Sequence, residues 1–338
     1  MKKTIRFVLA AFVFFASVFS VSAQVRRPVT IKLASLVPEN TPWGVGLNRL
    51  AGEWAAATNG EVKLQVYHGG IAGNEDDVLR KLRMNQIQAA VLSTVGLNLI
   101  TNEVMTLSSP FLIRNNAELE EVLNKIRPDL EQRLNSEGFH TMAWSRAGWI
   151  KVFSKTPVFV PADLKRLKLG SPAEQPELAQ VFKLMGYQMV SIHVNDILVA
   201  FNNGTIESIY NSPVMIGGLQ IFGIAKNMAS INIAPIMGGI LMNQTAWRAI
   251  PAPYRPKLEE LTRKLEKEMD GSIMRLENEA VTTMTKYGLV INTLSPEQEQ
   301  LWYQDIGKAV PSLFGSAINR NLYERIETIL KDFRGKQR

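Results

Sequence analysis

From Val29 onward the chain switches repeatedly between a hydrophobic period of two and one of three to four. Ile31 and Leu33 alternate with Thr30 and Lys32, which predicts a strand over 29–34. Trp43, Leu47, Leu50 and Trp54 then share one helical face, with Asn40 as cap and Asn59-Gly60 as a left-handed stop. Val62, Leu64 and Val66 alternate again. Asn74 caps the next helix, whose first turn carries Glu75, Asp76 and Asp77, charges that suit the dipole. A short strand over 88–93, a helix over 117–137 and a strand over 139–144 close this block. A second block follows in the same style. It has strands near 149–154 and 167–169, a helix over 174–185 stopped by Gly186, and a strand over 188–191. A helix over 195–201, a strand over 206–210, a helix from Asn211-Ser212-Pro213 to about 222, and strands near 228–231 and 236–242 complete it. This alternation predicts an α/β fold with a largely parallel sheet.

Residues 253–286 form one long helical pattern, charged on most faces and closed by Gly288. Such a helix is about 50 Å long, more than one small domain covers. It is either a surface helix held by salt bridges or a strut crossing two lobes. Ser295-Pro296-Glu297-Gln298 is a capping box with proline at the first helical position. Beyond Ile329 the chain is basic, and 331–338 is expected to fray. The expected organisation is 24–147 plus 236–275 in one lobe and 148–235 plus 276–330 in the other.

The first 23 residues stand outside this scheme. Lys2, Lys3 and Arg6 precede an apolar run from Phe7 to about Val21, then Val21-Ser22-Ala23, which reads as a secretory signal cut after Ala23. The run, about 15 residues, is short against the ~20 that span hydrocarbon. The expected mature chain begins at Gln24, exported to the periplasm and not lipid-anchored, because the sequence contains no cysteine. The absence of cysteine also excludes disulfides and thiolate metal sites. The formal net charge of +7 over 338 residues falls to about +4 without the leader, which leaves a nucleic-acid reading little support.

No catalytic or cofactor motif stands out. His68, His140 and His193 are isolated, without the spacing of a metal site. Gly44-Val45-Gly46 lacks the third glycine of a dinucleotide fingerprint, and neither a phosphate loop nor a nucleophile elbow is present. Asp163 and Glu207 have nothing nearby in sequence to make them an acid/base pair. An exported two-lobed α/β protein without such machinery points to binding in the cleft between lobes rather than to reaction.

Four segments, in order, resemble a known family. The Trp43 helix closed by Thr58-Asn59-Gly60 leads through the strand to Tyr67 and into the turn from Gly69 to Glu75. Ser109-Pro110-Phe111-Leu112 comes next. Ser154-Lys155-Thr156-Pro157 continues to Asp163-Leu164-Lys165-Arg166-Leu167-Lys168-Leu169. Last is Ala200-Phe201-Asn202-Asn203-Gly204-Thr205-Ile206-Glu207 through Asn211. The chain resembles, over about 29–330, the extracytoplasmic solute-binding subunits of tripartite ATP-independent periplasmic (TRAP) transporters. The resemblance implies two α/β lobes joined by crossing hinge strands, a long helix spanning both, hinge closure on a ligand, and delivery to a membrane permease. An accessory tetratricopeptide-repeat protein is a further expected partner. The family's signature arginine, which clamps a ligand carboxylate, aligns with Gly170, and a second frequent arginine aligns with Ile150.

Loss of both cations predicts an apolar or amphipathic ligand. Ser93, Thr94 and Asn211 are expected to supply hydrogen bonds, and Trp43, Trp149, Met215, Phe222 and Met237 apolar surface, around Ile150 and Gly170. For the aromatic and methionine positions plain core packing is the competing reading. Three rivals remain open. One is an organic-acid receptor using Asn211, Ser93 and a repositioned cation such as Arg146 or Lys151. The others are an exported enzyme on the same scaffold and an interaction protein with a filled cleft.

Overall fold

The structure, a computed structural model, describes residues 27–172, 176–193 and 196–336. The leader, its cleavage point and the expected helix starts at Glu174 and Asn195 lie outside the described residues. The strands are β1 (Val29–Ala34), β2 (Val62–Tyr67), β3 (Ala89–Ser93), β4 (Phe139–Ser154), β5 (Lys168–Pro172), β6 (Gln188–Ile192), β7 (Ser208–Asn211), β8 (Asn227–Ala229), β9 (Ala234–Asn243) and β10 (Val290–Asn292). They lie in the order β2-β1-β3-β9-β4-β7-β5-β6, with β8 also on β4 and β10 beyond it. β1 is parallel to β2 and β3, and β5 to β6 and β7, while β9 and β7 run antiparallel to β4.

β4 makes one sheet out of two lobes. Its first part pairs with β9, and its last four residues pair with β7. The sequence predicts two strands here, 139–144 and 149–154. The chain instead stays extended through a register shift between Arg146 and Trp149, where Gly148 takes φ +101°. Carboxylates of the long helix Arg255–Lys286 hydrogen-bond to the backbone of this irregular stretch. The N–H groups of Trp144, Arg146 and Trp149 donate to Glu266 (3.1 Å), Asp270 (3.4 Å) and Glu277 (2.7 Å). Part of the helix's charge is therefore committed to the crossing strand rather than solvated.

That helix is the strut. Leu258, Leu265 and Met269 pack with Trp43, Leu47 and Trp54 in the first lobe, and Met284 with Ala280 and Val281 packs with Phe153 and Ile216 in the second. The predicted caps at Asn74 and Ser295 form, and Asn59 and Gly60 take positive φ, whereas Thr41 rather than Asn40 caps the first described helix. The expected boundaries need a correction at the C-terminus. The helix Arg320–Lys336 returns to the first lobe, burying Leu322, Ile326, Ile329 and Leu330 against Leu119, Val122, Ile126 and Leu130. Nor does the tail fray over its described residues 330–336: Arg334 forms a fork with the buried Glu118 carboxylate at 2.7 and 2.8 Å.

Candidate binding site

A cavity of about 330 Å³ opens where the two lobes meet. The sheet register explains its second-lobe wall. Val152 pairs with Tyr210, and Leu169 pairs with both Ser208 and Met189, so Val152, Tyr210, Leu169 and Met189 share one face of the sheet. All four line the cavity, with Ile150 two residues before Val152. Leu164, Phe182, Tyr187, Trp302 and Ile306 close over that face, and Ser93, Thr94, Asn98 and the stretch Met105 to Phe111 contribute from the first lobe.

Phe111 is the pivot between these walls. It adopts φ +60°, a costly conformation for a residue with a side chain, and its N–H donates to the Ile233 carbonyl at 2.7 Å. Its ring lies 6.1 Å from Trp302 and edge-on to Tyr303 at 5.6 Å.

Most polar groups on the wall are already occupied. The Thr94 hydroxyl donates to the Met237 carbonyl (2.7 Å), Ser108 to Pro235 (2.8 Å) and Ser109 to Thr106 (2.7 Å). Tyr187 donates to Asp305 at 2.8 Å, and burial together with that bond pushes its phenol well above the usual range. Ser93 Oγ donates to Glu75 at 2.7 Å. Among the described residues, none that lines the cavity carries a charge at neutral pH.

Of the ten positions singled out in the sequence, Ser93, Thr94, Ile150 and Asn211 meet on this wall, and six lie elsewhere. Trp43 continues the stripe of Leu47, Leu50 and Trp54 into the first-lobe core. Trp149 points away, its indole N–H bonded to Asn116 at 2.9 Å. Met237 is fully buried in the same lobe and only its backbone reaches Thr94. Phe222 packs beneath the opposite sheet face, and Met215 is exposed on the helix Pro213–Gly218. Gly170 pairs with Ile209, one residue out of phase with Leu169. A Cβ there would meet Ile206 at 3.0 Å, away from the cavity wall.

Sequence reasoning missed Phe111, Leu169, Phe182, Tyr187, Met189, Tyr210 and Trp302. The two-residue period of the strands carrying Leu169, Met189 and Tyr210 was visible. Which face would be walled by helices was not.

Both candidate substitute cations are engaged elsewhere. Arg146 binds Asp270 at 2.6 and 2.9 Å. Lys151, on the face opposite Ile150 and Val152, donates to the Ser230 carbonyl (2.9 Å) and Asn232 Oδ1 (2.8 Å). Burial lowers Lys151 to about 8 from the ordinary 10.5, opposed by the charge of Glu277. The unfolded chain therefore keeps this proton over a range where the folded protein has lost it, so stability rises with pH from about 8 to about 10.5. Comparing urea unfolding of the wild type and Lys151→Met at pH 6.5 and 9.5 should show the wild type gaining on the order of 2 kcal/mol at the higher pH. An unchanged difference would mean that Lys151 is not held in a desolvated site.

Residues 33–316 match the model of the bacterial extracellular solute-binding protein family 7 (DctP). The chain belongs to this family. A curated relative, the C4-dicarboxylate-binding periplasmic protein DctP of Vibrio cholerae, is 22% identical over 284 residues, covering 84% of this chain and 85% of its own. A solute-binding protein of Verminephrobacter eiseniae is 24% identical, covering 68% and 69%. Among solved structures, a TRAP periplasmic solute-binding protein of Ralstonia eutropha with bound (S)-2-acetolactate superposes with a TM-score of 0.78 at 19% identity, covering 90% of this chain and 99% of that one. The protein is thus an extracellular solute-binding protein of family 7, with the two-lobed fold of TRAP periplasmic solute-binding proteins. Membership of this family implies a small-molecule solute as ligand. Among the described residues no helix is long and apolar enough to cross a membrane.

Proposed function

We propose that this receptor, exported to the periplasm, captures an uncharged, mainly apolar molecule in the cavity between its lobes and passes it to the permease without a covalent step. The observation that carries this reading is the wall itself: hydrocarbon and aromatic side chains, with no cation among the described lining residues. A carboxylate placed there would lose its hydration without an ionic partner, a cost of several kcal/mol. An apolar ligand gains about 25 cal/mol for each Å² it removes from water. Of the two sequence departures only Ile150 supports this, because it is on the wall; Gly170 faces the other side of the sheet and bears on neither reading.

The competing reading, an organic-acid receptor, is favoured by the ligands bound in structural neighbours, among them succinate and L-malate. Native mass spectrometry of the protein exported by its own leader, followed by organic extraction, separates the two. An apolar adduct is expected, on a chain whose mass corresponds to a start at Gln24. A bound dicarboxylate or keto acid would overturn the proposal.

A further inference from the structure

We propose that Tyr210 is the polar anchor of the cavity. Its ligand is then an uncharged molecule with a hydrocarbon body that presents a single hydroxyl or carbonyl oxygen to the Tyr210 phenol. This deepens the reading of an apolar site and rests on it.

Among the wall's hydroxyl groups, that of Tyr210 stands apart. Its oxygen has no hydrogen-bond partner among the described residues and no room for a water beside it, so a ligand oxygen reaches it as the wall side chains over it shift. Buried polar groups are almost always paired, because an unmade bond costs the full desolvation of the group. Thr94, Ser108, Ser109 and Tyr187 all obey that rule by turning to protein partners. Tyr210 does not, although it lies in the middle of the wall, paired with Val152.

Burial raises its pKa well beyond the usual phenol range, so the proton stays on oxygen and both a donor and an acceptor are on offer. Two neighbours reinforce the picture. Ser171 Oγ is likewise buried and unpaired; it follows Gly170 as Tyr210 follows Ile209, the last pair formed between β5 and β7. Across the cleft, Asn98 Oδ1 is an unpaired acceptor on the same cavity. These groups are neutral and few, so they select one oxygen on an otherwise apolar body, whereas a sugar acid would need many partners and a cation.

The test uses naphthalene and 2-naphthol, which differ by one hydroxyl, titrated calorimetrically into the mature wild type and Tyr210→Phe. The wild type should prefer 2-naphthol by about tenfold, and the variant should bind both alike. The unliganded variant should melt no lower than the wild type, since the phenylalanine ring keeps the packing and removes an unpaired hydroxyl. If both probes bind but the preference is absent in the wild type or survives in Tyr210→Phe, the anchor assignment is wrong while the apolar site stands. A marked loss of stability in Tyr210→Phe would make the hydroxyl structural and also overturn the assignment. If neither probe binds and succinate does, the apolar reading fails and the anchor with it.

Discussion

Placing an arginine at position 150 is expected to reverse the receptor's preference. Ile150 contributes an apolar side chain to the cavity wall, close to Val152 and Asn211. In Ile150→Arg the guanidinium would sit in a wall that offers it no carboxylate among the described lining residues. An uncharged ligand then binds against an unpaired, partly desolvated cation. A penalty of about 3 kcal/mol, roughly 100-fold in affinity, is the expected outcome for 2-naphthol. An organic anion gains what the uncharged ligand loses, because a carboxylate can take the fork of the new guanidinium. Calorimetric titration with succinate should give no heat with the wild type and a measurable affinity with the variant. Succinate binding by the wild type, or undiminished 2-naphthol binding by Ile150→Arg, would contradict the assignment of Ile150 to the ligand wall. Gly170→Arg is the useful control. Its side chain would leave the sheet on the face of Ile206 and Ile209, so it is expected to disturb second-lobe packing rather than create an anion site.

The largest expected loss of stability comes from one methyl group at the lobe junction. Gly148 takes φ +101° at the register shift of β4, and a Cβ there would lie against the carboxylate of Glu277. Gly148→Ala therefore combines backbone strain, about 1–3 kcal/mol, with displacement of the group that accepts the Trp149 N–H, about 1 kcal/mol more. A total near 3 kcal/mol should appear as a lower urea midpoint with an unchanged slope. A double-mutant cycle separates the two causes. With Glu277→Ala in the background the same glycine substitution should cost only the strain, so the two changes must be non-additive by about 1 kcal/mol or more. Additive effects would show that Glu277 is not what holds the junction. Because this carboxylate bridges the strut and the crossing strand, Gly148→Ala should also alter closure, read as a change in ligand association rate.

Much of the fold was legible because it depends on local periodicity. The alternation in Val62, Leu64 and Val66, the stripe from Trp43 to Trp54 and the box at Ser295 each fix an element without help from distant residues. The long helix was legible too, while its role as a surface helix or as a strut across two lobes stayed open until its packing against both lobes was known. The continuity of β4 was not, because the partners that satisfy its irregular backbone are Glu266, Asp270 and Glu277, more than a hundred residues away. The return of the helix Arg320–Lys336 to the first lobe was hidden for the same reason: its basic end reads as solvated until Glu118 is known to lie beneath Arg334.

The site divides along the same line. The sequence by itself determined an α/β chain, no cysteine chemistry and the family resemblance, because these are properties of composition, period and motif. Only the tertiary structure decided which of the altered positions faces a ligand. Side chains in a strand alternate between faces, so it took the register of β4, β5 and β7 to place Ile150 on the cavity wall and Gly170 on the opposite face of the sheet. Tertiary packing likewise turned Trp43, Trp149 and Met237 into core and left the Tyr210 hydroxyl without a partner, since satisfaction of a buried polar group depends on what the whole fold brings near it.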